Sequence, residues 1–243
     1  MAKKDDYFFG KFGHENFTLR LSMRRLGLFF LLILLLVPGG VEAGRRSEIR
    51  LKVPEPTVAG KSGQLIVLGR INDNRHFEDR PAEADTPSIA EGTVATINAD
   101  QRRYYIARVR DGYGKARNNI FLAQSQPVDE VVRELLTKSL TARGYKVVSD
   151  QAKGSDKAIT MDVEIDQLWG FIEVKGGGFS GSIPKMAGRL KTVLIVKGPE
   201  GKARYEVSGS ALHGFGLMTG GHWVKMFEEL FRDYQKNLER VSF

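Results

Sequence analysis

The most recognisable candidate for a functional motif in this sequence is a set of three glycines with the spacing G-x-G-x-x-G. They are Gly176, Gly178 and Gly181. In a dinucleotide site such glycines join a parallel strand to a helix whose N-terminus faces the pyrophosphate. Here Pro184 and Gly188 leave no room for a helix before the next apolar stretch, and a crossover of about ten residues is at the lower limit for that unit. The pattern therefore favours a long connection between two antiparallel strands, residues 176–188, and no cofactor is expected.

Carboxylates and histidines offer little more for catalysis or metal binding. Asp162, Glu164 and Asp166 alternate with apolar residues, so they are interpreted as the solvated side of an amphipathic strand. His213 and His222 are separated by glycines, with no carboxylate or third ligand nearby in sequence, so no metal site is expected. The chain has no cysteine, which excludes disulfides, thiolate ligands and cysteine nucleophiles. Without a nucleophile elbow, zinc motif or calcium loop, the sequence favours a non-enzymatic protein.

A basic segment between residues 102 and 117 carries arginines and lysines interleaved with tyrosines. In a cytoplasmic protein this composition would suggest nucleic acid, but the N-terminal sequence indicates export. Anionic lipid, anionic polysaccharide or a protein of the cell envelope are the compatible partners, and no nucleic acid is expected. Two apolar residues of the glycine-rich connection could join them at an interface, or they could instead fold back onto the sheet. The candidate interaction residues are Arg108, Arg110, Lys115, Arg117, Phe179 and Ile183.

The N-terminus has the pattern of a secretory signal peptide. An apolar run at residues 26–37 would form a helix of about 18 Å, which is too short for a bilayer core of about 30 Å. Two arginines precede the run, and a Pro-Gly-Gly break and small residues follow it. This predicts a signal peptide at residues 23–43 that is cleaved between Ala43 and Gly44, which places the mature protein in the periplasm. The alternative is an uncleaved segment that anchors the protein in the membrane.

Residues 1–22 do not fit a signal peptide, because they mix both charge signs with scattered aromatic residues. A start at Met23 would give a compact signal, so residues 1–22 are interpreted as an extension foreign to the native chain. Removing residues 1–43 takes away six basic and four acidic side chains, which lowers the net charge from +8 to +6. A positive exported protein could associate with anionic lipids or polymers of the envelope, although a solvated basic surface explains the charge equally well.

The remaining chain predicts a lead-in segment at residues 44–63 and a single α+β domain at residues 64–243. Strands are indicated at residues 64–71, 104–109, 119–123, 145–148, 159–166, 190–196 and 203–211. A helix begins after Pro127 and ends at Gly144, with apolar residues at helical spacing between them. A second amphipathic helix covers residues 223–241 and carries an aromatic stripe. The expected fold is a mainly antiparallel sheet with two amphipathic helices packed on one face.

Residues 109–148 resemble the central segment of the YajG-type envelope lipoproteins. The matching motifs are Asp73-Asn74-Arg75, Arg110-Asp111-Gly112 and Gly144-Tyr145, together with the amphipathic helix between the last two. The similarity covers about a third of the mature chain. It implies a periplasm-facing α+β domain without known catalytic residues. One departure is that the family has a lipobox cysteine, whereas Val41-Glu42-Ala43-Gly44 has none, so a soluble periplasmic form is the natural inference.

The leading hypothesis is a non-enzymatic, exported envelope protein that binds a protein partner or an anionic envelope component. The alternative from another class is a small periplasmic hydrolase or lyase whose catalytic residues are dispersed in the sequence. A third possibility is an envelope protein anchored by the uncleaved segment at residues 26–37.

Overall fold

A computed structural model describes residues 45–89, 93–110, 116–149, 158–175, 183–199, 201–214 and 219–243. These residues belong to one compact unit, Ala43–Phe243. The predicted signal peptide and its cleavage site at Ala43 and Gly44 lie outside the described residues, as do the three glycines of the G-x-G-x-x-G pattern.

The described residues form eight strands and three α-helices, with a short 3-10 turn at Val94–Thr96. The strands are β1 (Arg45–Ile49), β2 (Leu65–Asp73), β3 (Tyr105–Arg110), β4 (Ala116–Leu122), β5 (Lys146–Ser149), β6 (Ile159–Lys175), β7 (Ile183–Gly198) and β8 (Gly201–Gly214). The helices are α1 (Ala99–Arg102), α2 (Val128–Ala142) and α3 (Gly220–Leu238). Helices and strands therefore combine in an α+β fold, as predicted.

All eight strands join in a mixed sheet, and this corrects the prediction of a mainly antiparallel one. Six strands are neighbours in the order β1-β4-β3-β6-β2-β5. Strand β7 pairs with β6, and β8 pairs with β7. The pairings β1–β4, β2–β5, β2–β6 and β3–β6 are parallel, whereas β3–β4, β6–β7 and β7–β8 are antiparallel. Alternating polarity shows that one face of a strand is buried, but it carries no information about the direction of the neighbouring strand.

Strand β6 is the centre of the sheet and changes its neighbour half-way along its length. Its first half pairs with β2 and its second half meets β3, while β7 follows its other edge throughout. A bulge between Ile165 and Gln167 separates the two halves. Because a bulge adds one residue, it shifts the alternation, so Ile165 and Leu168 both face the main core. The predicted strand at residues 159–166 is confirmed as the first half of β6.

The predicted connection at residues 176–188 is shorter than expected, because β7 already begins at Ile183. Residues 183–188 pair with the far end of β6, for example Met186 with Ile172. Met186 is fully buried in the main core. The prediction that residues 183–188 belong to a loop was therefore wrong, since β6 continues to Lys175 and supplies a long pairing edge.

Helices α2 and α3 share one hydrophobic core with the sheet. Helix α2 follows the extended residue Pro127 and presents a fully buried apolar stripe. Helix α3 buries its predicted aromatic stripe in the same core, which includes Trp223, Phe227 and Tyr234. The helical spacing of these residues thus predicted correctly which side of each helix is buried.

The lead-in segment is part of this structure. It contains β1 and contributes Leu51 and Val53 to the main core. The Gln126 side chain exchanges two hydrogen bonds of 2.8 Å with the backbone of Leu51. Gly144, which ends α2 with a φ of +86°, lies so close to Gly60 that an added Cβ would be 2.5 Å from the Gly60 carbonyl oxygen. A side chain at Gly144 would therefore clash as well as strain the backbone.

The opposite face of the sheet carries a second, smaller core. Trp169 and Phe171 of β6 and Ala187 of β7 are buried there against Phe77 and Ile89. The described segments at residues 74–89 and 93–104 supply this cover through Phe77, Ile89, Val94 and Ile97. The sheet therefore buries apolar residues on both faces, and its second face is where the predicted arginines lie.

Candidate functional site

Arg108 and Arg110 lie on β3, two residues apart, and their side chains therefore project from the same face of the sheet. Both donate hydrogen bonds to the hydroxyl oxygen of Ser88, at 3.2 Å and 2.5 Å. Arg108 also donates to the carbonyl oxygen of Ile89, and Arg110 to that of Glu83 at 3.4 Å. Two guanidinium groups are thus held side by side around one buried serine. We call Arg108 and Arg110 the arginine pair.

Holding the two positive charges of the arginine pair close together in a half-buried place is electrostatically unfavourable. Burial lowers the pKa of the Arg108 guanidinium, and the positive charge of Arg110 lowers it further, while Tyr105 acts in the opposite direction. Burial also lowers the pKa of Arg110, and the negative charge of Glu78 partly offsets this effect. Within the described part of the chain, neither guanidinium forms a salt bridge with a carboxylate. Among the described residues, the buried Nε of Arg108 finds no hydrogen-bond partner.

Two neighbouring arginines show the opposite arrangement. Arg75 pairs with Asp73, and Arg103 pairs with Asp129 through its Nε at 2.9 Å. The hydrogen bonds that Arg103 donates to the Asp129 carboxylate raise the pKa of Arg103. The fold therefore neutralises Arg75 and Arg103 with carboxylates of its own, whereas the arginine pair is left with neutral oxygen acceptors.

An aromatic row runs beside the arginine pair on the same face. The ring of Tyr105 lies 4.7 Å from Phe121 and 6.5 Å from Phe77, which in turn lies 6.1 Å from Trp169, all in edge-on geometry. Edge-to-face contacts are a favourable arrangement for aromatic rings. The row connects the second core to the edge of the sheet.

A cleft of about 740 Å³ opens at the end of this row, between β1 and the segment around α1. Its volume falls in the range of small-molecule sites. The Arg46 guanidinium covers the ring of Phe121 at 4.2 Å. The lining mixes both charge signs with amide, hydroxyl and aromatic groups, and comprises Arg46, Glu48, Thr96, Ile97, Asn98, Asp100, Gln101, Tyr104, Tyr105, Phe121, Leu122 and Gln124.

The histidines that are distant in sequence are close in space. The rings of His213 and His222 are 5.9 Å apart. His213 Nδ1 is 2.9 Å from a carboxylate oxygen of Glu229, and His222 Nδ1 is 2.9 Å from the hydroxyl of Thr219. No carboxylate lies near these histidines in the sequence, but the fold brings the Glu229 carboxylate to His213. Among the residues that the structure describes, no group of three or more His, Cys, Asp or Glu side chains could hold a metal ion.

Two of the other four predicted interaction residues lie in the described part of the chain. Arg117 lies exposed on β4, and Ile183 is the first residue of β7, at the far end of the β6–β7 hairpin. Lys115 and Phe179 lie outside the described residues. Of the six candidates, only Arg108 and Arg110 are shown next to each other. In the described ranges, no helix is both long and apolar enough to cross a membrane.

Sequence reasoning missed Ser88 and the cleft. Ser88 lies twenty residues before Arg108, in a stretch whose only visible features were prolines and polar side chains. The cleft is formed by residues from β1, β4 and the segment around α1, which are far apart in sequence. The tyrosines of the basic segment at residues 102–117 were the only signal in the sequence that indicated this face.

Fold and site together define an α+β protein with a mixed eight-stranded sheet and a half-buried arginine pair. No family model matches the chain, and no curated protein matches it. The resemblance to the YajG-type lipoproteins therefore stays a prediction.

Two solved structures show a distant structural similarity to this chain. One is described as an uncharacterized protein, with 14% identity and a TM-score of 0.44, over 81% of this chain and 97% of that one. The other is protein XCC0632 from Xanthomonas campestris, of family DUF330, with 9% identity and a TM-score of 0.45, over 80% of this chain and 92% of that one. Likenesses at this level define neither a family nor a function for the chain.

Proposed function

We propose that this protein is an exported, non-enzymatic envelope protein that binds an anionic envelope component at the arginine pair. The observation that carries the proposal is the geometry of Arg108 and Arg110, which share the Ser88 hydroxyl and form no salt bridge among the described residues. The ligand group would be a phosphate or carboxylate of a lipid headgroup or an envelope polysaccharide.

The physical argument concerns the cost of two neighbouring guanidinium groups. Arginine stays charged in proteins, so it cannot relieve repulsion by losing its proton. Burial lowers the pKa of both groups, which means that the charged form is disfavoured relative to water. An anion that bridges the two forks would remove the repulsion and add charge-assisted hydrogen bonds. Binding is therefore favoured at this place over a solvated surface arginine.

The proposal of export rests on the predicted signal peptide. We expect the mature protein to begin at Gly44 and to be released with the periplasmic fraction. N-terminal sequencing of the protein recovered from a cell fractionation measures this directly. Recovery of a membrane-bound chain that starts at Met1 or Met23 would support the alternative, an uncleaved anchor.

Anion binding is tested with a variant that lacks the two charges of the arginine pair. It is compared with a control variant that has the same net charge but keeps the pair. The variant Arg108→Gln/Arg110→Gln is compared with Lys202→Gln/Arg204→Gln, whose residues lie exposed on β8. Sedimentation measures binding to vesicles of phosphatidylglycerol, with phosphatidylcholine vesicles as the neutral reference. Calorimetry with inorganic phosphate forms the second arm. We expect the first variant to bind at least about tenfold more weakly, the equivalent of one charge-assisted hydrogen bond, and the control to bind like wild type.

The two arms separate the possible sources of the anion. Binding to vesicles alone identifies a lipid surface, whereas binding of phosphate in solution identifies the anionic group itself. An equal loss of binding in both variants would mean that only net charge matters, and the proposed site would be rejected. Circular dichroism of both variants checks that the fold is intact. The variant Arg108→Lys/Arg110→Lys keeps the charge but loses the fork, so an intermediate affinity is expected.

A further inference from the structure

Strand β1 forms an edge of the sheet. Among the described elements it pairs with β4 alone. Its sequence, RRSEI, contains no proline, and its pairing with β4 is regular along all five residues. Natural proteins usually protect such an edge, because its free N–H and C=O groups are ready to pair with another strand.

The backbone groups on the free edge belong to Arg46 and Glu48. The carbonyl oxygen of Ile49 accepts a hydrogen bond of 3.0 Å from Ala123 at the end of β4, so the polar groups of Ile49 face β4. Backbone groups in a strand alternate between its two edges from one residue to the next. The N–H and C=O groups of Glu48 and Arg46 therefore point away from β4.

The side chains of the same two residues carry opposite charges. Arg46 and Glu48 are exposed on the side of the sheet that faces the cleft. Neither forms a salt bridge with another residue in the described ranges. The exposed edge strand β8 differs, because Arg204 and Glu206 there pair with Glu164 and Lys191, each at 3.0 Å. The two charges of β8 are thus paired with opposite charges within the chain, whereas in the described ranges Arg46 contacts only the ring of Phe121 and neither Arg46 nor Glu48 meets an opposite charge.

We propose that two copies of this chain pair through β1 in an antiparallel arrangement, with Ser47 of each copy on the two-fold axis. This register places Arg46 opposite Glu48 of the second copy and Glu48 opposite its Arg46. Both pairs exchange their backbone hydrogen bonds, since they are the residues whose polar groups point outward. The interface is the same patch on both copies, as a two-fold dimer requires.

The charges of Arg46 and Glu48 favour this register over the registers in which the two-fold axis is moved by one residue. Moving the two-fold axis to Arg46 places the two Arg46 side chains opposite each other, and moving it to Glu48 does the same for the two carboxylates. Like charges directly opposite are destabilising, whereas opposite charges stabilise a strand pair. Because Arg46 and Glu48 also line the cleft, the second copy would place its own strand at the rim of that cleft. This inference does not depend on anion binding by the arginine pair.

The absence of cysteine from the chain makes a cross-linking test specific. Ser47 of one copy would lie opposite Ser47 of the other in a non-hydrogen-bonded pair, with Cα atoms about 4.5 Å apart, within the range that a disulfide bridges. The variant Ser47→Cys, expressed from the full chain with a C-terminal tag, should form a disulfide-linked dimer under mild oxidation. The matched control is Ser208→Cys on the exposed edge strand β8, which should stay monomeric on a non-reducing gel.

Charge reversal in the Ser47→Cys background tests the register. Arg46→Glu should lower the yield of the cross-linked dimer at least about fivefold, because it places like charges opposite each other. The double reversal Arg46→Glu/Glu48→Arg restores complementarity and should restore the yield. Absence of a dimer in Ser47→Cys, equal cross-linking in Ser208→Cys, or failure of the double reversal to restore the yield would each overturn the proposal. Circular dichroism shows whether the variants remain folded.

Discussion

Asp73 and Arg75 form a buried ion pair at the point where β6 changes its neighbour from β2 to β3. The Nε and Nη2 atoms of Arg75 lie 2.7 Å and 2.8 Å from the two carboxylate oxygens of Asp73. The guanidinium also donates to the carbonyl oxygens of Tyr105, Leu168 and Arg102, at 2.7, 3.0 and 3.0 Å. One arginine thus supplies the hydrogen bonds that the strands cannot provide where the sheet divides.

The first prediction concerns this ion pair. Asp73→Ala should lower the free energy of unfolding by about 3–5 kcal/mol, because it leaves an uncompensated charge in a buried place. The Arg75 side chain is 0% exposed. Urea unfolding followed by circular dichroism measures the change. The control is Glu164→Ala, which removes the partner of the exposed Arg204 and should cost at most about 1 kcal/mol. Equal costs for the two variants would contradict a structural role for the pair.

Close contact between β8 and α3 leads to the second prediction. A Cβ at Gly209 would lie 2.8 Å from Tyr234 Cβ and 2.9 Å from its backbone nitrogen. Gly209→Ala must therefore push the helix away, and we expect a loss of about 1–3 kcal/mol in the free energy of unfolding. Gly214 at the end of β8 has nothing within 4 Å of an added Cβ, so Gly214→Ala serves as the control. Chemical unfolding of both proteins decides whether the helix packs this closely.

A third prediction addresses the aromatic stripe of α3. Phe227 is fully buried, in one core with the residues of α2. Phe227→Ala should cost about 3–5 kcal/mol, the usual range for emptying a buried phenylalanine site. Deleting the chain after Gly221 should prevent folding, since it removes the whole stripe. A truncated protein that stays folded would show instead that the stripe serves a partner and not the core.

The hydroxyls of Thr192 and Tyr234 give a prediction about pH. They are 2.6 Å apart in a fully buried place. Burial raises the pKa of the Tyr234 phenol, and the hydrogen bond with Thr192 offsets only part of this effect. In the unfolded chain a tyrosine loses its proton near pH 10. Above about pH 10 the unfolded state therefore binds fewer protons than the folded state, and stability falls as the pH rises.

Tyr234→Phe removes this titration and should flatten the loss of stability between about pH 9 and pH 11. At neutral pH the same variant should be less stable by about 1–3 kcal/mol, because the Thr192 hydroxyl loses its partner. Urea unfolding at a series of pH values measures both effects. An unchanged slope at alkaline pH would mean that Tyr234 ionises in the folded protein.

The sequence by itself predicted those properties of the protein that depend on residues close together in the chain. The start of helix α2 was predicted correctly and its end within two residues, because Pro127 favours a helix start and Gly144 a helix end regardless of the rest of the fold. The buried side of α3 and the buried side of the first half of β6 followed from periodicity alone. These properties depend on residues within one or two turns of each other, which a single sequence shows directly.

Tertiary structure alone decided how these elements meet. The parallel neighbours of β6, the bulge that turns Trp169 and Phe171 to the second core, and the shared acceptor of Arg108 and Arg110 all depend on contacts between distant residues. Strand pairing uses backbone groups that every residue carries, so side-chain patterns determine which face is buried and leave the partner open. Contacts between distant residues also bring Glu229 to His213, because α3 packs against β8, and the order of the described strands makes β1 an edge.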